Sequence, residues 1–196
     1  MSYLELGRAS YSEIKRMAAF VSRDDIRPIL ERREYLRWRP LSILLLAQDP
    51  NIADRELIED SFRACQRFSL VSNLAAWATA YIEISGERAI DEIVANYLRN
   101  PQRETAEVTA VVAALSVHGL NGRDEIWSRI VEGYRVALRI HPGVAGTLAS
   151  DLTRWERWEL RREIGEILSN ERYSFSASDE RLMQKYLSPA GFSVSN

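Results

Sequence analysis

The sequence predicts an all-α fold, a short right-handed α-α superhelix of antiparallel helix pairs, and three observations carry the prediction. Apolar residues recur at the i, i+3, i+4 spacing of one helix face through most of the 196 residues. Amphipathic helices alternate with nearly all-apolar ones. Pro, Gly and Asn break the pattern at near-regular intervals, so the span from Glu87 to Leu168 reads as helix, break, helix, break.

The first helix is expected from Ser10. Ser10 and Glu13 have capping-box spacing, and Ile14, Met17, Ala18 and Val21 follow on one face. Asp24 or Asp25 is the expected cap of a second helix through Ile26, Ile29, Leu30 and Leu36, with Pro28 tolerated near its start. Pro40 opens a short apolar helix, Leu41 to Gln48, which Asp49-Pro50 breaks. An amphipathic helix with Ile58, Phe62, Cys65 and Phe68 on its face precedes a near-apolar one from Val71 to Ile84, closed by Gly86.

Ala89, Ile90, Ile93, Val94, Tyr97 and Leu98 stripe the next helix, and Asn100-Pro101 stops it. The run Thr105 to Val117 carries Val108, Val111, Val112 and Leu115 with alanines at 106, 110, 113 and 114, the pattern of a helix covered on several sides. Gly119 is the expected left-handed cap, with a turn at Asn121-Gly122. Ile126, Trp127, Ile130, Val131, Tyr134, Ala137 and Leu138 then face the core, up to His141-Pro142. Val144, Leu148, Leu152 and Trp155 stripe the following helix, kept slim by Gly143, Ala145, Gly146 and Ala149. One more runs near Trp158 to Leu168; a serine-rich loop and a short helix from Glu180 to Leu187 end the pattern. The expected organisation is one helical repeat domain over 1–187, with less regular helices over 10–48, repeat units over about 53–168, a final short helix over 180–187 and a flexible tail over 188–196.

Internal echoes support a repeat. Leu98-Arg99-Asn100-Pro101 is echoed by Leu138-Arg139-Ile140-His141-Pro142, and Gln66-Arg67 by Gln102-Arg103. They imply a stride of roughly 36 to 41 residues, within the range of two-helix repeats whose units bury their apolar faces only by stacking. On these residues the chain resembles HEAT-type helical repeats. The stretch Asp151-Leu152-Thr153-Arg154-Trp155-Glu156-Arg157-Trp158 is also similar to a motif of bacterial helical-repeat proteins. The resemblance covers about the last two thirds of the chain and implies a short solenoid offering a concave surface to a protein partner. It carries no catalytic signature, and the proline and aspartate-arginine pattern of standard HEAT units is missing.

Composition narrows the function classes. An apolar share of 46% and a charged share of 28% are ordinary for a soluble domain. A net charge of -2 gives no overall attraction to nucleic acid or acidic membranes. Lys15 and Lys185 are the only lysines, which reads first as a GC-rich coding bias. One cysteine, Cys65, allows no intrachain disulfide. Met1 to Leu6 has neither the basic region nor the apolar core of a signal peptide, and the longest strongly apolar run, 41–47, falls far short of the roughly 20 residues of a membrane span. The expected location is the cytoplasm.

Catalytic, cofactor and metal signatures are not found. No Gly-x-x-x-x-Gly-Lys-Ser/Thr loop, Gly-x-Gly-x-x-Gly, His-Glu-x-x-His or Gly-x-Ser-x-Gly is present. Cys65, His118 and His141 are too scattered for zinc. Cys65 falls on an apolar stripe and reads as core; His118 sits where a helix end is expected and His141 in a turn. The paired carboxylates at 91 and 92, 124 and 125, and 163 and 166 fall on polar helix faces. The expected function is therefore non-catalytic protein–protein interaction or scaffolding, without cofactor. Trp155 with Trp158, and Trp77 with Tyr81, are the candidate aromatic anchors, each pair about one helical turn apart. The alternative is nucleic-acid binding through Arg32, Arg33, Arg37 and Arg39, interleaved with Tyr35 and Trp38 but diluted by Glu31 and Glu34. Self-association is a variant of the first reading, because open solenoid ends need capping.

Overall fold

Residues 11–121 and 124–188 are described by a computed structural model, and their regular structure is entirely helical. Eleven α-helices follow in order: α1 (Tyr11–Ala18), α2 (Arg23–Glu31), α3 (Arg39–Leu46), α4 (Ile52–Phe68), α5 (Leu74–Ser85), α6 (Glu87–Ile93), α7 (Thr105–Asn121), α8 (Asp124–Ile140), α9 (Ala145–Arg154), α10 (Arg161–Leu168) and α11 (Ala177–Leu187). The expected cap Ser10, Gly122 of the expected turn and the tail from 189 lie outside the described residues.

The helices pack in two lines. In the first, α3, α5, α7, α9 and α11 each pack on the next. In the second, α6, α8 and α10 do the same, with α4 lying against α5. This explains the alternation in the sequence. A first-line helix has neighbours on two flanks and the second line behind it, so α5 and α7 are apolar almost all round. A second-line helix buries one face: α8 turns Ile130, Tyr134 and Leu138 inward and Arg129, Glu132 and Arg139 outward. One core runs the length of the stack, from Ile58 and Phe62 through Val108, Val112 and Leu115 to Met183 and Tyr186. A smaller one at the N-terminal end joins Tyr11, Ile14, Ile26, Leu45 and Leu46.

Several polar contacts join residues 35 to 39 positions apart. Ser116 and Asp151 are 35 residues apart, Gln66 and Arg103 are 37, Asp91 and Arg129 are 38, and Thr79 and His118 are 39.

The structure corrects several local expectations. Ser22, not Asp24 or Asp25, caps α2: its Oγ accepts from the Asp24 amide at 3.3 Å. Neither Gly119 nor His118 ends a helix, because α7 continues to Asn121; packing on α5 and α9 carries it past the glycine. The helix over 89–98 changes at Val94 into a π-helical turn, in which the Arg99 amide donates to the Val94 carbonyl at 2.9 Å before Asn100-Pro101 ends it. The last helix starts at Ala177, earlier than 180, because Ser176 caps it by accepting from the Asp179 amide. The slimness expected of α9 is used at Gly146, where a Cβ would lie 2.8 Å from the backbone Cα of Asp179 on α11.

Candidate functional site

Asp54 organises the N-terminal end of the stack. It is the third residue of the α4 capping box: Asn51 accepts from its amide at 2.8 Å, and its carboxylate accepts from the Asn51 amide at 3.1 Å. The same buried carboxylate accepts from Arg27 Nε at 2.9 Å and Nη2 at 2.5 Å, and pairs with Arg23 Nε at 3.2 Å. One acid thus caps α4 and locks α2 across it.

Beyond that lock, α2 and α4 part around a cleft of about 470 Å³. Arg27, Leu30 and Glu31 of α2 and Arg39 at the start of α3 form one side; Leu57, Ser61, Ala64 and Cys65 of α4 form the other. Leu70, Ser72 and Asn73 of the α4–α5 connection and Trp77 of α5 complete the lining. The connection is short because Ser69 and Asn73 take left-handed conformations, φ 50° and 61°, which reverse the chain within five residues. It also leaves large apolar side chains in solvent: Phe68 is 64% exposed, Leu70 47% and Val71 40%, with Leu57 at 39% on the cleft wall. Burial pushes the Cys65 thiol above its ordinary pKa, so it stays protonated and unreactive at neutral pH.

The sequence-level candidates separate in space. Trp77 lines the cleft, but Tyr81, one turn further along α5, is 1% exposed and stacks on Phe62 with ring centres 4.9 Å apart. Tyr81 is therefore core, a correction that follows from the second line of helices covering that flank of α5. Trp155 stacks on Tyr134 at 5.5 Å and Trp158 on Tyr186 at 5.3 Å; both are half-buried packing residues. The arginine cluster is split as well. Arg32, Arg33 and Arg37 are exposed, Arg32 lying 3.7 Å from Glu34, while Arg39 lines the cleft.

Sequence reasoning missed two polar networks, one at buried Asp151 and one at partly buried Arg103. Asp151 accepts from Ser116 Oγ at 2.7 Å, Tyr134 Oη at 2.8 Å and Arg154 Nη2 at 2.6 Å. Burial outweighs these donors and holds its carboxyl above the ordinary value. Arg103 donates to the carbonyls of Asn96 and Gln66, each at 3.0 Å, and to Glu107 at 2.7 Å, while lying over the Tyr97 ring at 4.5 Å. The Gln-Arg echo was the signal that marked Arg103. These are structural networks, closed within the fold. Among the described residues, no group of three or more His, Cys, Asp or Glu is placed to hold a metal ion, and no helix is long and apolar enough to cross a membrane.

Comparison with protein-family models, with curated proteins and with solved structures found no match for this chain.

Proposed function

We propose that this chain is a non-catalytic interaction module, a HEAT-type right-handed α-α stack that holds a protein or peptide partner at its N-terminal end. The cleft carries this reading. It is concave, its walls are largely apolar, it contains an aromatic side chain at Trp77, and exposed Phe68 at the end of α4 and Leu70 and Val71 on the connection lie beside it. A cluster of that kind marks a docking site on a folded surface. The repeat reading is supported by the two lines of helices and by polar contacts at separations of 35 to 39 residues, close to the stride of the sequence echoes. A lone buried cysteine fits a cytoplasmic setting. Nucleic-acid binding is the weaker reading, because Arg39 is drawn off into the cleft and Arg32 is diluted by Glu34.

Photo-crosslinking tests the proposal. A benzoylphenylalanine at Leu70 is expected to capture one stoichiometric partner, and the same probe at Ile140, exposed on α8, is not. Capture at position 70 should disappear with Trp77→Ala while the helical circular-dichroism spectrum is kept. Equal capture at both positions, or capture indifferent to Trp77, would reject it.

A further inference from the structure

Arg39 distinguishes this cleft from a plain apolar groove. Its Nε is closed off from solvent, and among the described residues its guanidinium takes part in no hydrogen bond and no ion pair. The other arginine of the lining, Arg27, is paired with Asp54 through Nε and Nη2. Glu31 stands exposed at the rim and makes no ion pair with Arg39. Among the described residues the lining therefore carries one cation, Arg39, and one carboxylate, Glu31, that no ion pair neutralises. A guanidinium presents N–H donors in a planar fork that fits a carboxylate in two parallel bonds, and with Nε closed off the two Nη groups are the donors left to make them.

We infer that the partner segment entering the cleft carries an acidic side chain flanked by apolar ones. Its carboxylate accepts from the Arg39 guanidinium, and its apolar neighbours lie on Trp77, Leu57 and Leu70. This rests on the reading of the cleft as a protein-binding site and names what is recognised there. One free guanidinium suits one carboxylate; a nucleic-acid backbone, with a charge at every step, would meet that guanidinium, the Glu31 carboxylate and otherwise largely apolar side chains.

A random octapeptide library, displayed through its C-terminus so that no terminal carboxylate is free, tests the inference by selection on the full chain and on Arg39→Gln and Trp77→Ala variants. The wild-type chain is expected to enrich Asp or Glu beside apolar residues. Arg39→Gln should enrich apolar peptides with no acidic preference and bind an acidic wild-type selectant about ten- to a hundredfold more weakly. Arg39→Lys, which keeps the charge but not the fork, should fall between. Apolar peptides enriched without an acidic preference, or a preference that survives Arg39→Gln, would overturn the inference and leave the protein-binding reading standing. Failure to enrich any peptide that depends on Trp77 would remove that reading and the inference with it. Saturable uptake of decanoate without peptide enrichment would assign the cleft to a small carboxylate and also overturn the peptide occupant.

Discussion

Substituting Gly119 by alanine sets two physical effects against each other, and the structure decides the sign. Gly119 lies inside α7, where glycine costs roughly 0.5–1 kcal/mol relative to alanine, so propensity alone predicts that Gly119→Ala stabilises. A Cβ at 119, however, would meet the six-membered ring of Trp155, with Cε2 at 2.9 Å and Cζ2 and Cη2 closer than real Cβ contacts come. The indole has little room to retreat. It stacks on Tyr134, which is fully buried and held by its hydrogen bond to Asp151. Overpacking of this kind costs roughly 1–3 kcal/mol. The net expectation is a loss of about 1–2 kcal/mol, read as a lower urea midpoint at unchanged slope, or a melting temperature lower by about 2–8 °C for a chain of this size. Trp155→Phe removes the outer ring, so in that background Gly119→Ala should become neutral or gain the propensity term. A wild-type background in which alanine stabilises, or a cost unchanged by Trp155→Phe, would show that the ring does not press on this position.

Val112 is fully buried in α7, and Val112→Asp would leave an unpaired charge costing several kcal/mol; loss of the cooperative thermal transition is expected, and an unchanged one would misplace the core. His118 is held below its ordinary pKa by burial, against the Thr79 carbonyl and Glu83, with Lys15 adding to the depression. The unfolded chain then takes up a proton near pH 6.5 that the folded chain resists, so the stability from neutral His118 is complete above about pH 6.5 and lost as pH falls. His118→Gln, able to donate to the same carbonyl, should flatten the pH dependence of the urea midpoint below pH 6.5. Arg103→Lys keeps the charge but cannot serve Gln66, Asn96 and Glu107 together, and should cost about 1–3 kcal/mol in urea unfolding. Fluorescence anisotropy with single- and double-stranded oligonucleotides at low salt should show no binding that Arg32→Ala, Arg33→Ala and Arg37→Ala together abolish; a steep salt dependence lost in that triple variant would instead restore the nucleic-acid reading.

Periodicity made the helices legible, and the places where it failed share a cause. Val108, Val112, Ile130 and Tyr134 could be assigned to the core because α7 and α8 each keep one pattern over seventeen residues. Gly119 was misread because a glycine after an apolar run is the same local signal whether it caps the helix or admits a tryptophan from α9. Only the packing of a residue 36 positions away separates the two. Tyr81 and Trp77 were indistinguishable for the same reason: both sit on an apolar helix, and which one reaches solvent depends on where neighbouring helices end. Cys65 was legible as buried, but its place on a cleft wall was not, since the facing residues Leu30 and Arg39 come from helices with a different register. Arg39 looked like one of four equivalent arginines because charge clustering in sequence carries no direction in space.

Why the cleft lies where it does follows from helix lengths. Where the two lines are well matched they close on each other: α7 and α8 both have seventeen residues, and α5 has twelve against the twelve of Glu87–Leu98. At the N-terminal end, α4 has seventeen residues, roughly 25 Å, while α2, which Asp54 ties to it and which belongs to neither line, has nine, roughly 13 Å. Asp54 ties α2 to the first turn of α4, so the shortfall falls entirely on the later turns, from Leu57 to Phe68. The chain leaves α2 at Arg32 and passes through the 3₁₀ turn Arg33–Trp38, whose Tyr35 departs from helical geometry, before α3 begins at Arg39. That turn packs on α2 and α3 and leads into Arg39, which lines the cleft. The shortfall of α2 thus coincides with the exposed later turns of α4, where Leu57 is 39% and Phe68 64% exposed.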